Sequence, residues 1–328
     1  MILPGIKATA SILSLGFLLS LAGPAEAQKV YRIGALVAED QFVAAFEGFK
    51  KRMAELGYIE GKNVQYDFHN AKGEQEALKK LAAKMVNDKH DVIVTSSTTA
   101  TVPVAKASAG TNIPVVFLSA GNPLRLVKSY ASSGNNLTGI SSASLDLAEK
   151  RLELLKELAP AIKRVIFINN PKGENYQAYL RVTREAAKRL GLVLTDLEIR
   201  AGGGEEVKRQ IPLITRKLGE AVLIPPDVPF VAVTEEITQQ AIKEKLPTVG
   251  PNVQTVRRGY LAGYSSDYYS LGQQGAALVD KILKGARPTD LPIQLPLKLN
   301  LVINLKTAKA LGLQVSKALL VRADEVIE

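Results

Sequence analysis

The sequence predicts an α/β protein of two doubly wound, parallel-sheet lobes joined by a multi-strand hinge, and three observations predict it. Short apolar runs without polar alternation, such as PVVFL and RVIFI, recur along the chain, as strands buried on both faces require. Amphipathic stretches with apolar residues three and four apart separate them, which is the rhythm of right-handed βαβ crossovers. That rhythm pauses at 135–142 (NNLTGISS) and then restarts, with no extended linker between the halves. Two similar units in series that share connecting strands form a hinged pair with a cleft between them.

The first unit opens with a β-rich run at 31–37 (YRIGALV). A helix follows over 42–56, where Phe42, Phe46, Phe49 and Met53 share a face, and Gly57 ends it because glycine tolerates positive φ. Strands at 63–68, 91–95 and 114–118 alternate with helices at 74–87 and 98–109. The second unit reads as helix 145–158, strand 164–168, helix 175–190 ending at Gly191, strand 192–199 and helix 205–218. Strand 221–224, helix 231–244 and strand 248–249 complete it, and one more strand at 260–264 and one more helix at 268–283 follow. On this reading lobe one takes 28–140 with about 266–290, and lobe two takes 141–265 with about 291–328. Hinge strands are expected near Ile140 and Ser141, near 264–266 and near 288–297. The glycines at 202–204 read as a flexible turn, since neither a P-loop nor a dinucleotide fingerprint surrounds them.

Residues 1–27 read as a secretory signal peptide. Lys7 precedes an apolar stretch, and Ala25 and Ala27 fit the A-x-A pattern that places the cut before Gln28. The apolar run is shorter than the roughly 18–20 residues that span a bilayer. With no cysteine in the chain, disulfides, thiolate metal sites and a lipid-modified cysteine tether are excluded. An exported, untethered protein is expected in the periplasm of a Gram-negative cell. The net charge of +10 comes from residues mixed with acids along helix faces, as in Glu149-Lys150-Arg151, and reads as solvated surface. No basic run, helix-turn-helix or aromatic RNA-binding motif points to a nucleic acid.

Catalytic constellations are hard to assemble. The two histidines, His69 and His90, read as loop or surface residues, and no H-E-x-x-H, G-x-S-x-G or P-loop motif occurs. Neither a metal nor a cofactor is expected. A binding cleft is easier to build, because in open parallel sheets ligands meet the carboxyl ends of strands. Ser96, Ser97, Thr98 and Thr99 follow the third strand and open a helix, a ready site for a carboxylate. Ser119, Gly121 and Asn122 follow the fourth strand, and Asn169, Asn170, Asp227, Asn252 and Tyr264 occupy strand ends in the second unit. Glu39, Asp40 and Phe42 are expected to close one wall, with Ser141 at the hinge and Phe42 or Tyr264 stacking on a flat ligand. The local alternative for each is a helix cap or an Asx-turn.

The stretch 301–328 (LVINLKTAKALGLQVSKALLVRADEVIE) closely resembles the ending of the TrpXYZ-type ABC transporter substrate-binding proteins. So do 56–63 (LGYIEGKN), 134–139 (GNNLTG), 151–158 (RLELLKEL) and 279–292 (VDKILKGARPTDLP), in the family's order. The resemblance implies a type I periplasmic-binding-protein fold and closure of the lobes around a small-molecule solute. It also implies delivery of that solute to a membrane permease and its ATPase; the protein itself is expected to be a monomer. Members are associated with tryptophan and tyrosine. Where the family is expected to carry Gly-Asp-Pro or Thr-Asp-Pro, this chain has Gly121-Asn122-Pro123, so a carboxylate ligand lacking an α-amino group is a second expectation. The same cleft would serve a periplasmic sensor partner or an exported α/β enzyme. The signal peptide and the missing helix-turn-helix argue against a DNA-bound regulator of sugar-repressor architecture.

Overall fold

The computed structural model describes Met1 and residues 29–328. The rest of the expected leader and the cut before Gln28 lie outside the described residues. The first sheet contains β1 (Tyr31–Val37), β2 (Val64–Asn70), β3 (Val92–Ser96), β4 (Val115–Ala120) and β5 (Leu137–Ser141). Its order is β2-β1-β3-β4-β5, all parallel. Every residue of β3, β4 and β5 is buried, which is why these strands lack polar alternation. At one edge β2 carries Asp67 and His69, and charge there discourages further pairing. The β5 edge is covered instead: Gln294 donates its N–H to the Gly139 carbonyl at 3.0 Å, and Ser141 donates to the Gln294 carbonyl at 2.8 Å. Helices α1 (Val43–Glu55), α2 (Gln75–Asn87) and α3 (Thr98–Ala107) flank this sheet. Helix α1 stops where Gly57 takes φ +93°.

After β5 the chain crosses to a second lobe. Its sheet contains β6 (Arg164–Asn169), β7 (Val193–Glu198), β8 (Ala221–Leu223), β9 (Thr248–Gly250), β10 (Ala262–Ser266), β11 (Leu299–Asn304) and β12 (Glu325–Ile327). The order is β12-β11-β10-β9-β8-β6-β7. Helices α4 (Ala148–Leu158), α5 (Tyr176–Leu190), α6 (Gly204–Lys208), α7 (Val228–Ala232), α8 (Thr234–Lys243) and α9 (Val253–Arg257) belong to this part of the chain. After β10 the chain returns, and α10 (Tyr268–Leu283) packs on α1 with Leu271, Leu278 and Val279 in the first core. The chain then runs along β5 at 293–294 and crosses back into β11, which therefore enters the second sheet antiparallel to β10. Helices α11 (Leu305–Leu311) and α12 (Lys317–Arg322) lead to β12. Three segments thus join the lobes.

Several elements differ from the sequence reading. The helix expected over 205–218 ends as α6 at Lys208, and a single 3-10 turn at Ile211–Leu213 follows, because Pro212 lacks an N–H and fixes φ. The helix expected over 231–244 begins earlier and breaks at Val233, where the Thr234 hydroxyl donates to the Val231 carbonyl at 2.7 Å. The strand expected at 260–264 is displaced to β10, and Tyr260 is buried in the second lobe's core. The pause at 135–142 contains β5 itself. His90 is buried rather than exposed, with Nδ1 on the Met85 carbonyl at 3.0 Å and Nε2 3.3 Å from Asp67.

Candidate functional site

The first lobe's wall of the cleft is built at the carboxyl ends of β3 and β4. Ser96 and Ser119 are buried with their hydroxyls 2.7 Å apart, and Ser119 Oγ also accepts the Ser97 N–H at 3.2 Å. Ser97 stands at φ +88°, a conformation that L side chains avoid, and such strain collects at functional sites. Its hydroxyl caps α3 by accepting the Ala100 N–H at 3.1 Å. That leaves the first-turn N–H groups of Thr98 and Thr99 for the cleft, at the positive end of the helix. Thr98 Oγ1 accepts from the N–H groups of Gly121 at 3.0 Å and Asn122 at 3.3 Å, and so pins that loop.

The second lobe's wall is built from the ends of β6 and β8 and the start of α5. Asn170 is fully engaged: its amide donates to Asp227 Oδ2 at 2.8 Å and to the Ala201 carbonyl, while its oxygen accepts from Lys172 and Ala201. It therefore aims Asp227 rather than meeting a ligand. Gly173 lies so close that a Cβ there would sit 2.8 Å from Asp227 Oδ2. Burial pushes the Asp227 carboxyl up to about 6, opposed by the Asn170 amide and the Val228 N–H and assisted by Glu174. Asn169 is buried beside it, and its Oδ1 has no hydrogen-bond partner among the described residues. The Oδ1 of Asn175 is likewise unpartnered.

Between the walls lie two adjoining cavities that share Thr99, Asn175 and Pro226. One encloses about 390 Å³ including its open mouth and is lined by Asn169, Glu174, Tyr176, Tyr179 and Asp227. The other spans about 360 Å³, again with its open mouth included, and is lined by Phe42, Ser97, Thr98, Ser142, Ser144 and Tyr268. Phe42 and Tyr268 form an aromatic side wall, with ring centroids 5.1 Å apart. At the outer mouth Glu39, Asp40 and Gln41 face Val231, Gln254 and Arg258 across a wider opening. Burial pushes Glu39 up to about 7 against the pull of the Gln41 amide and Arg258.

The lobes touch across this space. Arg125 and Glu174 form an ion pair at 2.8 Å, Asn252 Nδ2 donates to Gln41 Oε1 at 2.7 Å, and Val228 from α7 packs into the first lobe's core. Of the residues singled out from sequence, Phe42, Ser97, Thr98, Thr99, Ser119, Gly121, Asn169, Asn170 and Asp227 border the cavities, and Ser96 lies just behind them. Glu39 lies at the mouth with Asp40, which is exposed and paired with Lys72. Asn252 caps α9 and bridges the lobes. Ser141 is spent on the crossing turn, its hydroxyl accepting from the Ala143 N–H. The Asn122 side chain borders neither cavity, its backbone alone being held by Thr98. Tyr264 faces an outer groove with Lys150, Glu153 and Arg322 instead of the cleft, because its position on β10 turns it to that face. Sequence reasoning missed Glu174, Asn175, Tyr179, Ser142, Ser144 and Tyr268. Asn175 and Tyr268 sit at helix starts after strand ends, and that placement was a usable signal.

Two parallel-sheet lobes that close on a cleft and are joined by three crossing segments are the type I periplasmic-binding fold. The chain belongs to the ABC transporter substrate binding protein family, whose model matches residues 31–327. Proteins of this family are typically extracytoplasmic; they bind a small-molecule solute, work with a permease and an ATPase, and are not enzymes. The chain is 30% identical over 292 residues to a tyrosine-binding protein of Clostridioides difficile, covering 88% of this chain and 82% of that one. It matches the ABC domain of a Streptococcus pneumoniae protein in complex with L-Trp at a TM-score of 0.83 and 25% identity, over 91% of this chain and 100% of that one. The ligand-free, open structure of the C. difficile substrate-binding protein CD0873 matches at 0.68 and 26% identity, over 91% and 99%. At nearly equal identity the ligand-bound structure fits better, in keeping with lobes that touch.

Proposed function

We propose that the protein is the periplasmic solute-binding component of an ABC importer, that it acts as a monomer, and that its solute is an aromatic amino acid. The carrying observation is the polarity of the cleft. On one side the free N–H groups of Thr98 and Thr99 and the Thr99 hydroxyl open α3, and on the other Asp227 presents a buried carboxylate. A ligand carboxylate suits the first and an ammonium the second, while Phe42 and Tyr268 offer a face to a flat side chain. The missing aspartate at position 122 does not weigh against an amino group, since that side chain borders neither cavity and Asp227 carries the charge. The tyrosine- and tryptophan-binding relatives support the same class. The lobe division that goes with this reading is 28–140 with about 266–290 for lobe one and 141–265 with about 291–328 for lobe two, and the two sheets and the crossings between them support it.

Calorimetric titration of the purified protein with tyrosine, tryptophan, phenylalanine and their deaminated acids tests this. Binding of one amino acid, with its deaminated partner at least tenfold weaker, is expected. Binding of the deaminated acids alone would return the ligand to a simple carboxylate.

A further inference from the structure

Arg151 on α4 is 2% exposed, and its charge is not used by any feature described so far. Its sequence neighbours Glu149 and Lys150 are the solvated residues that mixed charge predicts, paired with Arg189 and Glu153 respectively. Arg151 turns inward instead. Nε donates to the Tyr264 carbonyl at 3.0 Å, Nη1 to the Ser144 carbonyl at 2.9 Å and the Tyr179 hydroxyl at 3.1 Å, and Nη2 to the Pro251 carbonyl at 3.0 Å. A longer contact of 3.4 Å joins Nη2 to Ser144 Oγ. Every acceptor is neutral, and no carboxylate pairs with this guanidinium among the described residues, although carboxylates pair with many exposed cations. A buried, permanently charged group with no counter-ion is costly, and it is tolerated best where an anion completes it.

The cleft lies on the far side of two of those acceptors. Ser144 lines the cavity walled by Phe42 and Tyr268, and Tyr179 lines the neighbouring one. Their hydroxyls are 2.7 Å apart, and the Tyr179 hydroxyl donates to the Ser144 carbonyl at 2.6 Å, which leaves the Ser144 hydroxyl as the donor of this thin polar layer between the guanidinium and the cavities. The positive charge is felt beyond that layer, since it opposes the burial-driven rise of the Tyr268 phenol on the far wall of the Ser144 cavity. Asp227 and Glu174, the acids that reach the cleft floor, lie with Asn169 and Asn175 in the Tyr179 cavity, whereas the cavity beside Ser142 and Ser144 has no acidic lining residue.

Resting on the amino-acid reading above, we infer that Arg151 is a positioning residue for the solute's carboxylate. Through Ser144 Oγ and the Tyr179 hydroxyl it draws the anionic end towards Ser142 and Ser144, beside the start of α3, and leaves the ammonium for Asp227. The same guanidinium holds carbonyls of the crossing loop (Ser144), the β9–α9 loop (Pro251) and β10 (Tyr264), so the seated anion bears on two of the three lobe crossings.

The test compares L-tyrosine with L-tyrosinamide and L-tryptophan with L-tryptophanamide, since the amide keeps the ammonium and ring but loses the negative charge. The preference for acid over amide is measured by calorimetry in the parent protein and in Arg151→Gln, Arg151→Lys and Tyr179→Phe. Arg151→Gln is expected to reduce the preference at least tenfold, and Arg151→Lys to restore most of it. Equal weakening of acid and amide by Arg151→Gln, leaving the preference intact, would assign Arg151 to holding the crossings alone and overturn the inference. Should Arg151→Gln not fold, Tyr179→Phe decides: a preference reduced several-fold supports the inference and an unchanged one overturns it. A parent protein that binds an amino acid and its amide equally overturns the inference alone. One that binds none of the four compounds overturns the aromatic amino-acid reading as well.

Discussion

Glu39 and Asp227 are acids that burial holds partly protonated near neutrality, and the sign of their effects follows from that. Burial raises Glu39 from 4.5 to about 7, so the folded state holds its proton more tightly than the unfolded chain. The cost of its charge is full above about pH 7, shrinks as pH falls and is gone below about pH 4.5. At about 1.4 kcal/mol per unit it approaches about 3 kcal/mol. Glu39→Gln is therefore expected to be the more stable protein near pH 8, by up to about that amount, and to match the parent near pH 4. Paired urea unfolding series check this, and a difference that ignores pH would remove burial of the charge as its cause. Asp227 is raised to about 6 in the same way, but an incoming ammonium restores the value of its charge. Amino-acid affinity should thus fall as pH drops through about 6, with no such fall for a deaminated acid. Asp227→Asn should flatten that profile and weaken amino-acid binding near pH 8 by about 10- to 100-fold, the loss of a charged hydrogen bond worth roughly 1.5–3 kcal/mol. Calorimetry across pH measures both. Residues of this site at strand ends, Ser97 to Thr99 and Asp227 among them, were legible because open parallel sheets bind there. Tyr179 and Arg151 were not, because a tyrosine on an amphipathic helix reads as core and an arginine among acids reads as solvated surface.

Helices α1 and α10 meet at backbone distance, which is a property of neither alone. A Cβ on Gly272 would lie 1.8 Å from the Ala45 carbonyl oxygen, and one on Gly48 would lie 2.0 Å from the Tyr269 carbonyl oxygen. The clash is with backbone on both sides, so no rotamer relieves it and the helices must separate. Gly272→Ala is expected to destabilise the protein by about 1–3 kcal/mol, the usual cost of overpacking. Gly202→Ala, where a Cβ would have only Glu206 Oε1 nearby at 3.8 Å, should stay within about 0.5 kcal/mol of the parent. Thermal unfolding of both variants settles it, and equal behaviour would mean the α1–α10 contact yields without cost. Elements were readable from sequence where one physical pattern ruled them. Strands β3 and β4, buried on both faces, and α10, with its continuous apolar stripe, fall close to where the residues place them. Patterns failed where local chemistry cut across periodicity, as at Pro212 in the 205–218 stretch and at Val233 between α7 and α8, where Thr234 holds the Val231 carbonyl. The run from β11 to β12 was recognisable by resemblance but not as elements, since its strands and helices are too short for a period to declare itself.

The molecule as a whole is held closed by few bonds, and that sets how it must respond to their loss. Arg125 belongs to the first lobe and Glu174 to the loop that lines one of the two cleft cavities in the second. Their side chains are 42% and 31% exposed, so the pair is worth no more than about 0.2–1 kcal/mol. Such an increment is small against folding but not against an open–closed balance, where about 1 kcal/mol changes the ratio of states roughly fivefold. Closure in a binding protein slows escape of the solute more than it governs entry, because entry takes place through the open form. Arg125→Ala removes the clamp without touching either cavity, whereas Glu174→Gln alters the lining too, and the first is the cleaner probe. It should weaken solute binding by about two- to fivefold, with most of the change in the dissociation rate. High salt should weaken the parent by a similar factor and leave the variant nearly unchanged, since the bridge is exposed enough to be screened. Stopped-flow dissociation at two ionic strengths reads both effects. If the variant releases solute at the parent's rate and keeps the parent's salt response, the ion pair is a bystander, and closure rests on the Gln41–Asn252 bond and the seating of Val228.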